Sequence, residues 1–329
     1  MGNKGKKVRA LVLLSGGLDS ILAAKLLLEQ KIEVEGICFY SNFFGCGSAR
    51  KAAEKLKIKL WEIDISGEML DIIRSPKYGH GAGLNPCIDC HALMLKKAGE
   101  IMKKERSCPE RSRRIDLVAT GEVLGERPMS QHKAALKIVE KEAGLEGYLL
   151  RPLSAKLLEP TIPELRGLVI RDRLMDISGR SRKQQIDLAK KFGISDYPTP
   201  AGGCILTQSG FVERLKELMK HKPGFSPDDV ELVKVGRHFW FDGFGKLTTS
   251  DAQIILGRNQ EENEKLMRIK TENDVLVKPE NFVGPSTLIK GAKISDEIIE
   301  RAKELIIKYS PKVNKIINLR FDIKSVKSI

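Results

Sequence analysis

The chain has 329 residues, 41% hydrophobic and 30% charged, a globular balance with room for two domains. Its net charge of +14, mostly carried by the first 210 residues, favours a polyanionic partner, nucleic acid first, over a merely solubilising surface. No apolar stretch approaches the roughly 20 residues of a membrane span, and MGNKGKKVRA leads straight into a strand pattern without a signal-peptide core, so no membrane partner and a cytoplasmic location are expected.

Strand and helix patterns then alternate. VRALVLLS reads as a buried strand and ILAAKLLLEQ as a helix. VEGICFY, KLWEIDI, RIDLVATG and GYLLRPL read as four more strands. Helical patterns fall on SARKAAEKLK, on about Asp89 to Lys104, and again from Met129. Apolar strands separated by helices predict an α/β fold, a parallel sheet with helices on both faces, whose ligands sit beyond the carboxyl ends of the strands. Pro163 to Gly193 reads as mainly helical and charged, and YPTPAGGC breaks the regularity. Beyond it, VGRHFWFDGFGKLTTS alternates like a strand, NQEENEKLMRIKTE is helical, DVLVKP is a strand and SDEIIERAKELIIKYS a helix. The tail VNKIINLRFDIKSV could close a sheet. The composition shift places a boundary between about Gly203 and Pro223, giving domains 1–204 and 205–329, the second a smaller α/β domain.

The first strand ends at Ser15-Gly16-Gly17-Leu18-Asp19-Ser20, and a helix follows at once. Glycines let the backbone approach an anion, and the unpaired N–H groups of a helix start point at it. Ser15 and Ser20 add hydroxyl donors. Asp19 cannot hold phosphate itself and suits Mg²⁺ or a helix start. The string is neither a Walker A loop nor a dinucleotide fingerprint.

SGGLDS resembles the SGGxDS signature of the PP-loop ATP pyrophosphatases. The resemblance implies that ATP is cleaved between its α- and β-phosphates and that an oxygen of a second substrate is adenylated. By it, Ser15, Gly16, Gly17, Asp19 and Ser20 hold pyrophosphate and Mg²⁺, and Tyr40 and Ser41 lie near the adenosine. LVATGEVLGERPMSQ and LLRPLSA are similar to stretches of the 4-thiouridine synthetase group, which thiolates tRNA, with a departure at Arg127-Pro128-Met129. Gly121 and Glu122 are then expected to close the nucleotide site, and Lys133, Arg151 and Lys156 are candidates to assist.

Six cysteines in a chain of this kind do not suggest a disulfide framework. Cys38 lies in a strand pattern and reads as core; Cys46 and Cys108 lie in loops. Cys87 and Cys90, in NPCIDCHALML, stand at a helix start, which favours thiolates, and Cys204 follows two glycines in TPAGGCILT. NPCxxC also resembles the 2-thiouridylase group, and three cysteines resemble the ligand set of oxygen-sensitive thiolation enzymes that hold a [4Fe-4S] cluster. The alternatives are a catalytic cysteine pair or persulfide, and a zinc site completed by His80 or His91. The sulfur would come from sulfide or from a cysteine desulfurase persulfide.

Gly236 to Gly291 is similar to the RNA-binding R domain of NFACT proteins, through Gly257-Arg258-Asn259, Asn263-Glu264-Lys265 and Gly284-Pro285-Ser286. Of Phe239, Trp240 and Phe241, some could stack bases, but consecutive strand residues alternate faces and at least one must be core. A structural appendage or a homodimer interface is the competing reading of this region. Together the resemblances imply an ATP-dependent tRNA sulfurtransferase, with another adenylating ligase or amidotransferase acting on a small molecule as the alternative.

Overall fold

The computed structural model describes residues 7–107, 114–198, 203–241, 252–291, 294–311, 313 and 318–324. Cys108 and residues 199–202 of the YPTPAGGC stretch lie outside these. The chain divides into two compact units, Met1–Gln208 and Ser209–Ile329.

In the first unit the elements run β1 (Arg9–Leu13), α1 (Leu18–Leu28), β2 (Glu33–Tyr40), α2 (Gly47–Leu56), β3 (Leu60–Asp64), α3 (Ser66–Arg74), α4 (Cys87–Arg106), β4 (Leu117–Ala119), α5 (Lys133–Glu142), β5 (Leu149–Leu150), α6 (Ile162–Leu165) and α7 (Lys183–Lys191). The five strands form one parallel sheet in the order β3-β2-β1-β4-β5. β1 is central and buried, so it reads as a continuous apolar run rather than an alternating one. Ala10 and Val12 pack with Ala24 and Leu27 of α1, while α4 packs against β1 and β4. α1 is apolar nearly all round because α7 and the segment after β5 cover its outer side. The chain leaves β1 toward β2 and β3, then returns to add β4 and β5 on the other side. The switch point therefore lies between the carboxyl ends of β1 and β4, where this sheet type holds ligands.

The sequence expectation missed α3, and the segment 163–193 is less helical than expected. Among its described residues only α6 and α7 are α-helices, because Gly167, Gly179 and Gly193 take left-handed backbone conformations that interrupt it. Cys38 is 5% exposed, as a core residue should be. It is also joined to Cys46 by a disulfide, with Cα atoms 5.9 Å apart, a pairing that neither its strand position nor the Cys46 loop announces.

The second unit contains α8 (Ser209–His221), α9 (Pro227–Val233), β6 (Arg237–Phe241), β7 (Ala252–Leu256), α10 (Gln260–Ile269), β8 (Val275–Pro279), β9 (Thr287–Lys290), α11 (Asp296–Lys308) and β10 (Phe321–Lys324). Its sheet is antiparallel, in the order β10-β8-β9-β7-β6. Side-chain alternation gives it two apolar faces. Ile254, Val277 and Ile289 pack under Ile298, Ala302 and Ile306 of α11. Ile255, Leu276 and Leu288 pack with Leu232 of α9 and Leu266 of α10 on the other face. Among the described residues, no helix is long and apolar enough to cross a membrane.

Candidate active site

The loop after β1 turns at Gly16, whose φ is +79°. A Cβ there would lie 2.2 Å from the Ser48 carbonyl carbon, because the first turn of α2 closes over the loop. Gly17 caps α1 without a side-chain hydrogen bond, so the first N–H groups of this 11-residue helix have no capping acceptor. Ser15 Oγ accepts from the Gly17 N–H at 3.2 Å and donates to Ser20 Oγ at 3.2 Å, and Ser20 Oγ donates to the Gly17 carbonyl at 2.8 Å. The hydroxyls are thus gathered at the helix start, the arrangement suited to an anion.

Asp19 Oδ2 accepts from Arg182 Nη2 at 3.1 Å, and Arg182 also pairs with Glu126. Asp19 Oδ1 is buried with no hydrogen-bond partner. Burial, then the Glu126 carboxylate, push the Asp19 carboxyl up to about 6, against Arg182 and Arg127. A buried carboxylate oxygen with no partner, beside an anion-binding helix start, fits a hard cation such as Mg²⁺. Sequence reasoning missed Arg182 and Glu126, which approach Asp19 only through tertiary packing.

Tyr40 and Ser41, at the end of β2, line a cavity of about 410 Å³ with Phe44, Cys46, Arg50 and Glu62. None of residues 15–20 lines it, so it is an adjoining space rather than the loop itself.

The chain leaving β4 touches the loop directly. A Cβ on Gly121 would lie 2.5 Å from the Asp19 carbonyl carbon and the Ser20 nitrogen. Glu122, 6% exposed, faces inward. Its Oε2 accepts from Thr120 Oγ1 at 3.1 Å and Arg151 Nε at 3.0 Å, and its Oε1 lies 2.8 Å from His91 Nδ1. Burial acts to raise the Glu122 carboxyl, but Arg151 and His91 overcome it and bring it down to about 2. An ionised carboxylate only accepts, so His91 donates from Nδ1. Arg151, 4% exposed, also donates to Glu140 Oε2 and the Leu136 carbonyl, so it braces Glu122 rather than reaching outward.

Cys87 opens α4. Asn85 Nδ2 donates to Cys87 Sγ at 3.1 Å while Asn85 Oδ1 accepts from the Gly83 N–H. The Leu84 N–H donates to the Leu206 carbonyl at 2.9 Å, pinning the turn that follows Cys204 against the turn before Cys87. The three cysteines are thereby brought together from over a hundred residues apart. Burial first, then the Cys204 and Cys87 sulfurs, push the Cys90 thiol up. Cys204 is exposed in surface area, yet its thiol is also raised, by desolvation first and then by Cys87, while Arg127 acts in the opposite direction. Arg127 thus influences both Asp19 and Cys204. It lies in the segment Gly121–Gln131, whose far end brings Met129 Sδ to 3.8 Å from Asn85 Nδ2.

The expectation of a [4Fe-4S] cluster on Cys87, Cys90 and Cys204 finds no support in the side-chain arrangement. Among the described residues, no three His, Cys, Asp or Glu side chains are arranged to hold a metal ion. Of the histidines weighed for a zinc site, His80 Nε2 is bound to the Ile73 carbonyl and His91 Nδ1 to Glu122.

Residues 8–172 match the family model described as tRNA methyl transferase HUP domain, and residues 236–328 match the NFACT protein RNA binding domain. The tRNA-specific 2-thiouridylase MnmA of Carboxydothermus hydrogenoformans is 27% identical over 259 residues, 71% of this chain and 65% of that protein. The protein of the same name from Stutzerimonas stutzeri is 25% identical over 256 residues, 71% and 61% of the two chains. The chain thus spans just under two thirds of the length of these relatives. A solved structure described as a predicted subunit of tRNA methyltransferase, from Methanocaldococcus jannaschii, is 14% identical with a TM-score of 0.35, covering 56% of this chain and 76% of that one. With its parallel sheet, its loop at the switch point and a family match over half its length, the chain belongs to the tRNA methyl transferase HUP domain family, in its PP-loop branch.

Proposed function

We propose that the chain is an ATP-dependent tRNA sulfurtransferase that converts a uridine carbonyl into a thiocarbonyl. The observation that carries this reading is the bridge Gly121–Gln131, which packs on the Asp19 backbone at one end and on Asn85, the partner of Cys87, at the other. One segment joins an anion-binding loop to a cysteine group, as a two-part reaction needs. The thiouridylase names of the relatives, the RNA-binding match and the net charge of +14 support tRNA as the substrate.

A uracil carbonyl oxygen is a poor leaving group. Its attack on the ATP α-phosphorus expels pyrophosphate and makes that oxygen part of an AMP leaving group. The helix-start N–H groups with Ser15 and Ser20 hold the phosphates, and Asp19 with its unpartnered Oδ1 would hold Mg²⁺. Mg²⁺, when bound, offsets charge on the transferring phosphate.

Sulfur reaches Cys87 as a persulfide from an external donor. Its terminal sulfur attacks the activated carbon and AMP leaves. The Cys204 thiolate then attacks the Cys87 sulfur of the resulting disulfide. The thiouridine departs, Cys87 and Cys204 are left joined, and an external dithiol supplies two electrons to reset them. Asn85 holds the Cys87 sulfur, and His91, one helical turn further on and fixed by Glu122, stands on the same face of α4.

The test is mass spectrometry of tRNA nucleosides from a deletion strain. A thionucleoside should be missing, restored by the wild-type gene and not by Cys87→Ala. An unchanged nucleoside profile would contradict the reading.

A further inference from the structure

The aromatic strand β6 does not offer the stacking surface its sequence suggests. Phe239 and Phe241 turn toward α11 and pack against the core beneath it. Trp240 points to the opposite face and stacks on His221 of α8, with ring centroids 4.7 Å apart and planes 6° from parallel. These rings are spent within the second unit.

Tyr309 is different. It ends α11 and is 37% exposed. The Arg237 guanidinium lies 4.8 Å from its ring centroid and the Lys308 ammonium 5.8 Å. Phe239 supports the ring from the core side at 6.1 Å with a 48° tilt. Two other cations of this unit also lie over rings, Arg301 over Phe241 and Lys303 over Phe321, but each is paired with a carboxylate, Glu304 and Glu300. Among the described residues neither Arg237 nor Lys308 has an ion pair. Of these cation–ring groups, Tyr309 alone keeps uncompensated positive charge. Among the described residues, β6 is also an end strand of the sheet.

An exposed ring layered with a planar guanidinium takes a nucleobase as its next layer, and an unpaired ammonium beside it attracts the phosphate. In a duplex the base faces are already stacked on one another, so such a platform needs unpaired nucleotides. We infer that Tyr309, Arg237 and Lys308 bind single-stranded RNA by stacking, with little base preference. The inference rests on the RNA reading above for its ligand class, not on the sulfur chemistry.

The test measures binding of the full chain to fluorescein-labelled oligouridine by anisotropy, with the same strand annealed to its complement as the duplex arm. Wild type should prefer the single strand. Tyr309→Ala should weaken single-strand binding about tenfold, and Tyr309→Phe should preserve it. Arg237→Lys should weaken it too, because an ammonium keeps the charge but loses the plane. Lys308→Gln should reduce the slope of log affinity against log salt by about one, whereas Tyr309→Ala should leave that slope unchanged. Thermal unfolding of each variant separates lost binding from lost fold, and if Tyr309→Ala does not fold, the Phe and Lys variants decide. Wild-type affinity in folded Tyr309→Ala, or equal affinity for duplex, overturns the platform. A strain that still makes its thionucleoside while Tyr309→Ala binds normally contradicts the platform alone. Normal loss of oligouridine binding in the variant with no thionucleoside missing from a deletion strain contradicts the proposed reaction alone.

Discussion

The two units carry equally recognisable strings of residues, and the structure uses them in opposite ways. In the first, SGGLDS leaves groups unspent: an uncapped helix start and a buried Asp19 Oδ1 with no partner. In the second, the signature residues satisfy one another. The Gly257 N–H donates to the Ser286 carbonyl at 3.0 Å, Asn263 Oδ1 accepts from the Ser286 N–H at 3.0 Å, and Asn259 caps α10 through the Glu262 N–H. Glu262 in turn accepts from the Gly236 N–H and pairs with Arg258. A distinctive string therefore marks either a site or a staple, and the presence of unpartnered polar atoms tells them apart.

The sharpest way to break this contrast is to add one methyl group in each unit. Gly16→Ala puts a Cβ against the Ser48 backbone at a left-handed position, so calorimetry should show no saturable ATP binding. Gly257→Ala puts a Cβ 2.1 Å from Asn263 Oδ1, which should destabilise the second unit by about 2 kcal/mol while ATP binding persists. Loss of ATP binding in the second variant alone would reverse the assignment of site and staple.

Acid should separate the units as well. Burial holds the His238 imidazole down to about 4, neutral between the Val235 carbonyl and the Gln253 side chain. A base with a lower pKa folded than unfolded stabilises the fold above 6.5 and loses that contribution as pH falls from 6.5 through 4, roughly 3 kcal/mol here. Glu122 has a depressed carboxyl, so its contribution is present above 4.5 and lost as pH falls through about 2. The chain has two tryptophans, Trp61 in the first unit and Trp240 in the second. Fluorescence of Trp61→Phe, which reports on Trp240, should change at higher pH than that of Trp240→Phe; the reverse order contradicts the account. The smallest expected effect is that of Tyr309→Ala on oligouridine affinity, with stability nearly unchanged.

The sheet of the first unit was legible because five apolar runs alternate with helical ones, and the loop because its six residues are local. α8 was not, because its sequence falls across the interval where the composition shift had placed the boundary. The Arg182–Asp19–Glu126 group joins residues up to 163 positions apart, and no local pattern announces it. The sequence places Glu122 beside Gly121 at the nucleotide site but does not show that its carboxylate is engaged by His91, Thr120 and Arg151. The three cysteines were picked out by their flanking residues, but spacing alone could not distinguish a cluster from a sulfur-carrying pair.

The central claim is that the loop and the cysteines serve successive halves of one reaction. Its most direct measurement follows pyrophosphate and thiouridine together in the purified protein, with tRNA, ATP, a persulfide donor and a dithiol, for wild type and Cys87→Ala. The account predicts that Cys87→Ala still releases pyrophosphate in a tRNA-dependent manner but forms no thiouridine. Thiouridine formed by Cys87→Ala, or pyrophosphate release that is indifferent to tRNA in both proteins, would contradict it.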